Sequence, residues 1–327
     1  MQEFDIIKQY FLPLANNPAS LSLADDTAII KVPKEQNLVV SKDLFIENIH
    51  FLRSDGGYKI AYKLLCANIS DLAASGAKPL YYMLGFSKNN HCDQYFYQQF
   101  CLALQELQQK FNISLIGGDT VFSDKLCFSI TIFGLAKNTL QRSLAQDGDL
   151  IFVSNYIGDA GLGLATIKAQ QEHKSYAKTL LNAHYFPQPR IDFALALNEL
   201  GLSKAAIDIS DGLIADLKHM CLASNIYASI FFNQIPISKD AKNFLQDNPQ
   251  HNPLNLLASG DDYELIFSAN PDNQQKIIDL AKKMLLNISC IGYFHQNNIY
   301  NEQRVLLFQN QSQPLKLINY QKTGYQH

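Results

Sequence analysis

The residues best placed to do chemistry in this chain are carboxylates. Asp25 and Asp26 precede Thr-Ala-Ile-Ile, and Asp43 follows the run LVVSK. Asp71 lies one helical turn after Asn68, and Asp119 follows Gly117-Gly118. Asp208, Ser210 and Asp211 belong to AIDISDGL, and Asp261 and Asp262 to SGDDYEL. Each has a bland reading alone, because an Asp after a strand is commonly a turn former or helix cap. Asp71 on the apolar side of a helix is harder to explain that way and needs a salt bridge or a buried network. A lone ionised carboxylate is costly in apolar surroundings, so six or more such groups suggest a collective purpose. Their oxygens are hard ligands suited to Mg²⁺ or Ca²⁺. Clustered like charges need cations or protons, and metal ions bridging phosphates neutralise a nucleotide.

Three other patterns bear on the chemistry. In AIDISDGL a strand carries Asp208 to a sheet end, Ser210 or Asp211 caps a helix, and the backbone N–H groups there can receive an anion. Plain capping accounts for Ser210 and Asp211 but not for Asp208. Gly158, Gly161 and Gly163 in NYIGDAGLGL have the spacing G-x-x-G-x-G, and no G-x-x-x-x-G-K-[ST] occurs. That stretch reads as a loop entering a helix, with ligand contact as a secondary option. G-x-S-x-G and H-E-x-x-H are absent, so no covalent nucleophile or zinc site is indicated. His50 stands seven residues after Asp43, and alone reads as an ordinary polar residue.

The elements that must position these groups alternate between strand and helix. Residues 37–41, 80–86, 113–116 and 126–134 read as strands, the third ending in Gly117-Gly118-Asp119. Residues 58–75 and 94–110 read as helices. After a connector over 137–149 that contains Arg142, GDLIFVS starts a new strand. Further on, 205–209 and 264–269 read as strands and 274–286 as a helix, with a helix from Asp211 or Gly212 to about Ala223. The polar stretch 243–255 reads as a loop. The fold class expected is α/β (α+β), with domains at 1–137 and 138–327.

The chain has 327 residues, 47% hydrophobic and 17% charged, with a formal net charge of −3. That balance argues against general disorder and gives no sign of nucleic acid or an anionic membrane as partner. There is no signal-peptide pattern at the start and no run of about 18 apolar residues. The six cysteines form no C-x-x-C pair. A cytoplasmic protein with reduced thiols is expected.

Taken in order, ADDTAII, SKDLFIENIHF, NISDLAASGAKP, LIGGDT, AIDISDGL and SGDDYEL resemble the thiamine-monophosphate kinase family over nearly the whole chain. The wider superfamily includes aminoimidazole-ribonucleotide synthetase, selenophosphate synthetase and a hydrogenase-maturation protein. The resemblance implies a two-domain protomer whose N-terminal domain contributes to a β-barrel at a homodimer interface, beside a C-terminal α/β domain. It implies that ATP and several Mg²⁺ ions bind in the cleft. On the family's motifs, Asp26, Ser41, Asp43, Asp71, Asp119 and Asp208 would hold Mg²⁺, and Asp211 a further ion. Gly118, Asp119, Arg142 and Ser210 would contact ATP, and His50, Asp261 and Tyr320 would contact thiamine monophosphate. The implied reaction is direct in-line phosphoryl transfer to thiamine monophosphate. The alternatives are another ATP-dependent enzyme of the superfamily and a non-catalytic nucleotide and Mg²⁺ binder.

Three positions depart from the family's usual pattern. Ala24 replaces a glycine, which requires a negative φ there. Lys42 replaces a threonine, so its backbone carbonyl could still serve and its ammonium could meet a phosphate. Asp261 replaces a glutamate, one methylene longer.

Overall fold

A computed structural model of the chain describes residues 3–90, 92–297, 303–311, 318, 320 and 324. The chain divides into two compact units, Met1–Leu72 with Ala77–Asn138, and Ala73–Gly76 with Thr139–His327.

The first unit comprises α1 (Glu3–Ile6), β1 (Asn37–Ile46), α2 (Gly56–Ala74), β2 (Lys78–Lys88), α3 (Gln94–Phe111), β3 (Ser114–Phe122) and β4 (Cys127–Ala136). Its sheet runs β1-β4-β2-β3, with β2 and β3 parallel and the other pairs antiparallel. The middle of α2 is apolar on most sides, and Ile60, Leu64, Leu65, Ile69 and Leu72 are fully buried. Such a helix is held by packing rather than by an amphipathic stripe. Asp93 caps α3 by accepting from the Phe96 N–H at 2.8 Å, and Asn112 ends it in the left-handed conformation. Phe86, Phe100 and Phe128 meet with ring centroids 4.9–5.2 Å apart. Aromatic burial of this kind fixes the sheet against its helices.

The second unit comprises β5 (Leu150–Ser154), α4 (Asp159–Lys168), α5 (Ala177–Tyr185), α6 (Ile191–Glu199), β6 (Ala206–Asp208), α7 (Leu213–Ser224), β7 (Tyr227–Phe231), α8 (Lys239–Asp247), β8 (Leu265–Ala269), α9 (Gln274–Lys283), β9 (Ile288–His295) and β10 (Val305–Phe308). Its sheet runs β10-β7-β9-β5-β8-β6, with only β10 and β7 parallel. The central strands β5 and β8 are almost wholly buried. That explains their continuous apolar sequence in place of alternation.

Three expectations about elements need correction. Asp43 lies inside β1, which continues to Ile46 because its partner β4 extends equally far. Gly117-Gly118-Asp119 lies within β3, where pairing with β2 continues through Lys88 and Phe122. The stretch 243–255 starts as the second half of α8, nucleated by Ser238, whose Oγ accepts from the Ala241 N–H. A helix cap upstream outweighed local polarity. Both sheets are open among the described residues. No helix among them is long and apolar enough to cross a membrane.

Candidate active site

In the first unit, alternation along β1 decides what each side chain meets. Ser41 and Asp43 are half-buried, whereas Leu38, Val40, Lys42 and Leu44 point outward. Period-two geometry sends successive residues to opposite faces. The Ser41 hydroxyl donates to Asp71 on α2. The Asp43 N–H donates to Asn68 Oδ1 at 3.2 Å, while the Asn68 amide donates to the Leu64 carbonyl at 2.9 Å. Asn68 and Asp71, one turn apart, therefore bring α2 against β1. Burial and then the Asp71 charge push the Asp43 carboxyl up to about 7. Two carboxylates and a hydroxyl held together in this way fit a hard divalent cation, which would relieve their repulsion.

Lys42 is on the other face. Its ammonium donates to Ser129 and, at 3.5 Å, to Thr131, both on β4. The substitution of threonine by lysine leaves the Ser41–Asp43–Asp71 cluster untouched. Ala24 has φ −102°, the negative value its replacement of glycine requires.

Asp25, Asp26, Gly117, Gly118 and Asp119 line a cavity of about 170 Å³. Asp119 Oδ1 accepts from the Thr120 N–H at 2.8 Å. Asp43 and Gly118 share one row of the sheet through Ile130 and Leu84, and Asp119 is one row further on. The pleat thus turns Asp119 to the opposite face, and β1 and β3 are three strand spacings, roughly 14 Å, apart. Among the described residues no three His, Cys, Asp or Glu side chains are grouped so as to hold a metal ion. Mg²⁺ does not require such a group, since it is commonly held by one or two carboxylates with phosphates and waters. His50 stacks on Phe45 at 5.2 Å between centroids, and its Nδ1 accepts from the Ile46 N–H at 3.1 Å. The ring proton is then on Nε2.

In the second unit, Asp208 ends β6 and is buried. Ser210 and Asp211 form the turn into α7 but neither caps it as expected: the N-cap is Gly212, with no side-chain cap hydrogen bond. The Ser210 carbonyl accepts from the Asp261 N–H at 2.9 Å, and the Ile209 carbonyl from the Tyr263 N–H at 2.8 Å. Asp208, Ser210, Asp211 and Asp261 thus sit on two adjoining backbone segments. The N–H groups of Ser210, Asp211 and Gly212 all donate to Asp216 Oδ2, each at 3.1 Å. The anion these N–H groups receive is therefore an internal carboxylate. Burial pushes Asp216 up to about 7, and the Asp211 charge adds to the rise. Sequence reading passed over Asp216. Its spacing, five residues after Asp211 within the first turn of a helix, is the only available signal.

The glycine-rich loop has a similar explanation. The N–H groups of Gly158 and Ala160 donate to the carboxylate of buried Asp262, at 2.7 and 3.3 Å. A Cβ on Gly161 would stand 2.4 Å from that of Ser259. These glycines permit close approach of the 256–262 segment. Glu264 is also held, by Arg190 (Nε to Oε2, 2.6 Å), Ser154 and Asn155. Arg142 is exposed in the connector, its carbonyl accepting from Ser224 Oγ at 2.9 Å. Tyr320 packs on the core beneath α7, and its hydroxyl donates to the Val305 carbonyl at 2.6 Å.

Residues 24–136 match the family of AIR synthase related proteins in its N-terminal domain, and residues 146–300 match the C-terminal domain. The fold and its carboxylate-bearing turns thus define an AIR synthase-related protein. The chain is 37% identical over 332 residues to thiamine-monophosphate kinase of Buchnera aphidicola subsp. Schizaphis graminum, covering 99% of this chain and 98% of that protein. The thiamine-monophosphate kinase structure from Stenotrophomonas maltophilia K279a has a TM-score of 0.81 at 29% identity, over 95% of this chain and 98% of that one. AaThiL complexed with AMPPCP and TMP shares the fold, with a TM-score of 0.75 at 24% identity over 96% of each chain. The chain belongs to the thiamine-monophosphate kinase family.

Proposed function

We propose that this chain transfers the γ-phosphoryl group of ATP to thiamine monophosphate, giving thiamine diphosphate and ADP. The observation that carries the reading is the Ser41–Asp43–Asp71 cluster, two half-buried carboxylates and a hydroxyl brought together by β1 and α2, in a chain related to such kinases end to end. Phosphoryl transfer demands positioning and charge neutralisation, with little covalent work for the protein. When bound, Mg²⁺ supplies that neutralisation between two anionic reactants. Asp43 and Asp71, with Ser41, hold it, and Asp26, Asp119, Asp208 and Asp211 hold further ions. Gly118, Asp119, Arg142 and Ser210 bind ATP. His50, Asp261 and Tyr320 bind thiamine monophosphate, His50 presenting Nε2–H as a donor. Transfer is direct and in line, with no phospho-enzyme.

The domains divide at about residue 137, with the ATP and Mg²⁺ groups of the first domain N-terminal to it. The protein works in the cytoplasm as a homodimer. Leu38, Val40 and Leu44 support this, being exposed on the outward face of the edge strand β1. Apolar edge strands left open invite pairing. A second copy would continue this sheet towards a barrel.

The test is incubation of the protein with ATP, Mg²⁺ and thiamine monophosphate, followed by chromatography. Thiamine diphosphate and ADP should appear one for one. ADP formed only with another phosphate acceptor would assign the chain to a different reaction of the superfamily. Nucleotide binding without turnover would make it a binder.

A further inference from the structure

Within SGDDYEL the side chains divide. Asp261 is half-exposed and accepts from the Tyr263 hydroxyl at 3.1 Å, whereas Asp262 and Glu264 are buried. The backbone is unusual as well. Asp261 has φ +69° and Tyr263 φ +50°, so two non-glycine residues flanking Asp262 are left-handed. Such a conformation is unfavourable for a residue with a Cβ, and persists only where the surroundings over-determine it. The determining contacts are visible on both sides. Asp262 binds two N–H groups at the start of α4, one on each oxygen. Glu264 binds Arg190, Ser154 and Asn155. On the opposite edge, backbone bonds tie Asp261 and Tyr263 to Ser210 and Ile209.

We infer that Asp262 is a positioning residue for substrate binding: by filling the N-terminus of α4 with its own carboxylate, it holds the 258–264 segment in the conformation that presents Asp261 outward. The helix start that resembles a phosphate site in sequence is thereby an internal anchor. This rests on the reading of Asp261 as a contact to thiamine monophosphate.

The experiment compares the wild type with Asp261→Asn, Asp262→Asn and the double variant, measuring KM and kcat for both substrates. Asp262→Asn keeps the shape but replaces one accepting oxygen with a donor. It should raise KM for thiamine monophosphate on the order of tenfold, leaving KM for ATP within about twofold. In the Asp261→Asn background the same change should add almost nothing, because its effect passes through Asp261. Additive effects, or equal effects on both substrates, would overturn the inference. Wild-type enzyme with no activity on thiamine monophosphate would instead remove the functional reading beneath it. Amide hydrogen exchange on the wild type gives an answer even if the variants fold poorly. Segment 258–264 should be protected without substrate. Protection gained only on adding thiamine monophosphate would show that the segment is not held in advance, and would also overturn the inference.

Discussion

Asp43 and Asp71 face one helix turn and one strand, and the Asp43 carboxyl is pushed up to about 7 by burial and by its neighbour's charge. Its native value lies above the ordinary 3.8. The group therefore favours the folded state most below that lower value, and the contribution disappears as pH rises through about 7. The thermal midpoint of metal-free protein should accordingly fall between about pH 4 and pH 8. Asp159, raised to about 6, and Asp216, raised to about 7, act in the same direction. Asp71→Asn separates the contributions: it should flatten the dependence without abolishing it. Added Mg²⁺ should raise the wild-type midpoint at pH 8 by mass action and raise that of the variant less. On the proposed role of Asp71 in holding Mg²⁺, the variant's kcat should drop on the order of 100-fold or more. An unchanged kcat would remove Asp71 from the site. Arg190 is the other informative residue. Its bidentate pair with Glu264 is largely buried. Arg190→Met should destabilise by about 3–5 kcal/mol, because it strands a buried charge. Urea unfolding would measure this, and Glu264→Gln added to Arg190→Met should recover part of the loss.

At the scale of elements, the second unit is organised by close approach. The 256–264 segment lies between the start of α4 and the turn before α7, touching Gly158, Gly161 and Gly212. At Gly260 a Cβ would stand 2.2 Å from the Ser210 carbonyl oxygen. Gly260→Ala must therefore push apart the segments carrying Asp261 and Ser210, at a cost of at least about 1–3 kcal/mol. Gly201 is a useful contrast. It has φ +62° but nothing within 4 Å of its Cβ position. Gly201→Ala should cost only about 1–2 kcal/mol from backbone conformation and leave turnover intact. Thermal midpoints with KM values for both substrates check the pair. Equal KM values in the Gly260→Ala variant and the wild type would show that the two segments can separate harmlessly.

For the molecule as a whole, the proposed homodimer rests on the outward face of β1. Leu38, Val40 and Leu44 share one face of an edge strand with Lys42, and Lys42 is drawn across to Ser129 and Thr131. The lysine lies flat along the sheet in this arrangement, leaving the apolar side chains outward. Light scattering on the purified protein should give twice the mass expected for 327 residues. Val40→Glu, which places a charge in the centre of that face, should give the single-chain mass with a far-UV spectrum unchanged. A dimer that survives Val40→Glu would place the interface elsewhere.

Much of the first unit was legible in the sequence because its signals are local. The patterns that mark α2 and α3 act within a few residues along the chain. The pairing of Asn68 with Asp71 on one helix face was legible for the same reason, and so was the family, whose motifs are short and ordered. Strand ends were not, since β1 and β3 run as far as their partners allow. Nor was the fate of the anion-binding helix start at Gly158. A sequence can show that N–H groups will be exposed at Gly158 and Ser210, and Asp216, six residues from Ser210, fills the second through a local contact, but a sequence cannot show that Asp262, more than 100 residues from Gly158, will fill the first. The same holds for Lys42, whose direction depends on a pleat fixed by pairing with β4. Composition and spacing determined which groups this protein has for handling phosphate. Tertiary packing alone decided which carboxylates face outward for chemistry and which are turned inward to hold the backbone, because burial and long-range hydrogen bonding are properties of the assembled chain.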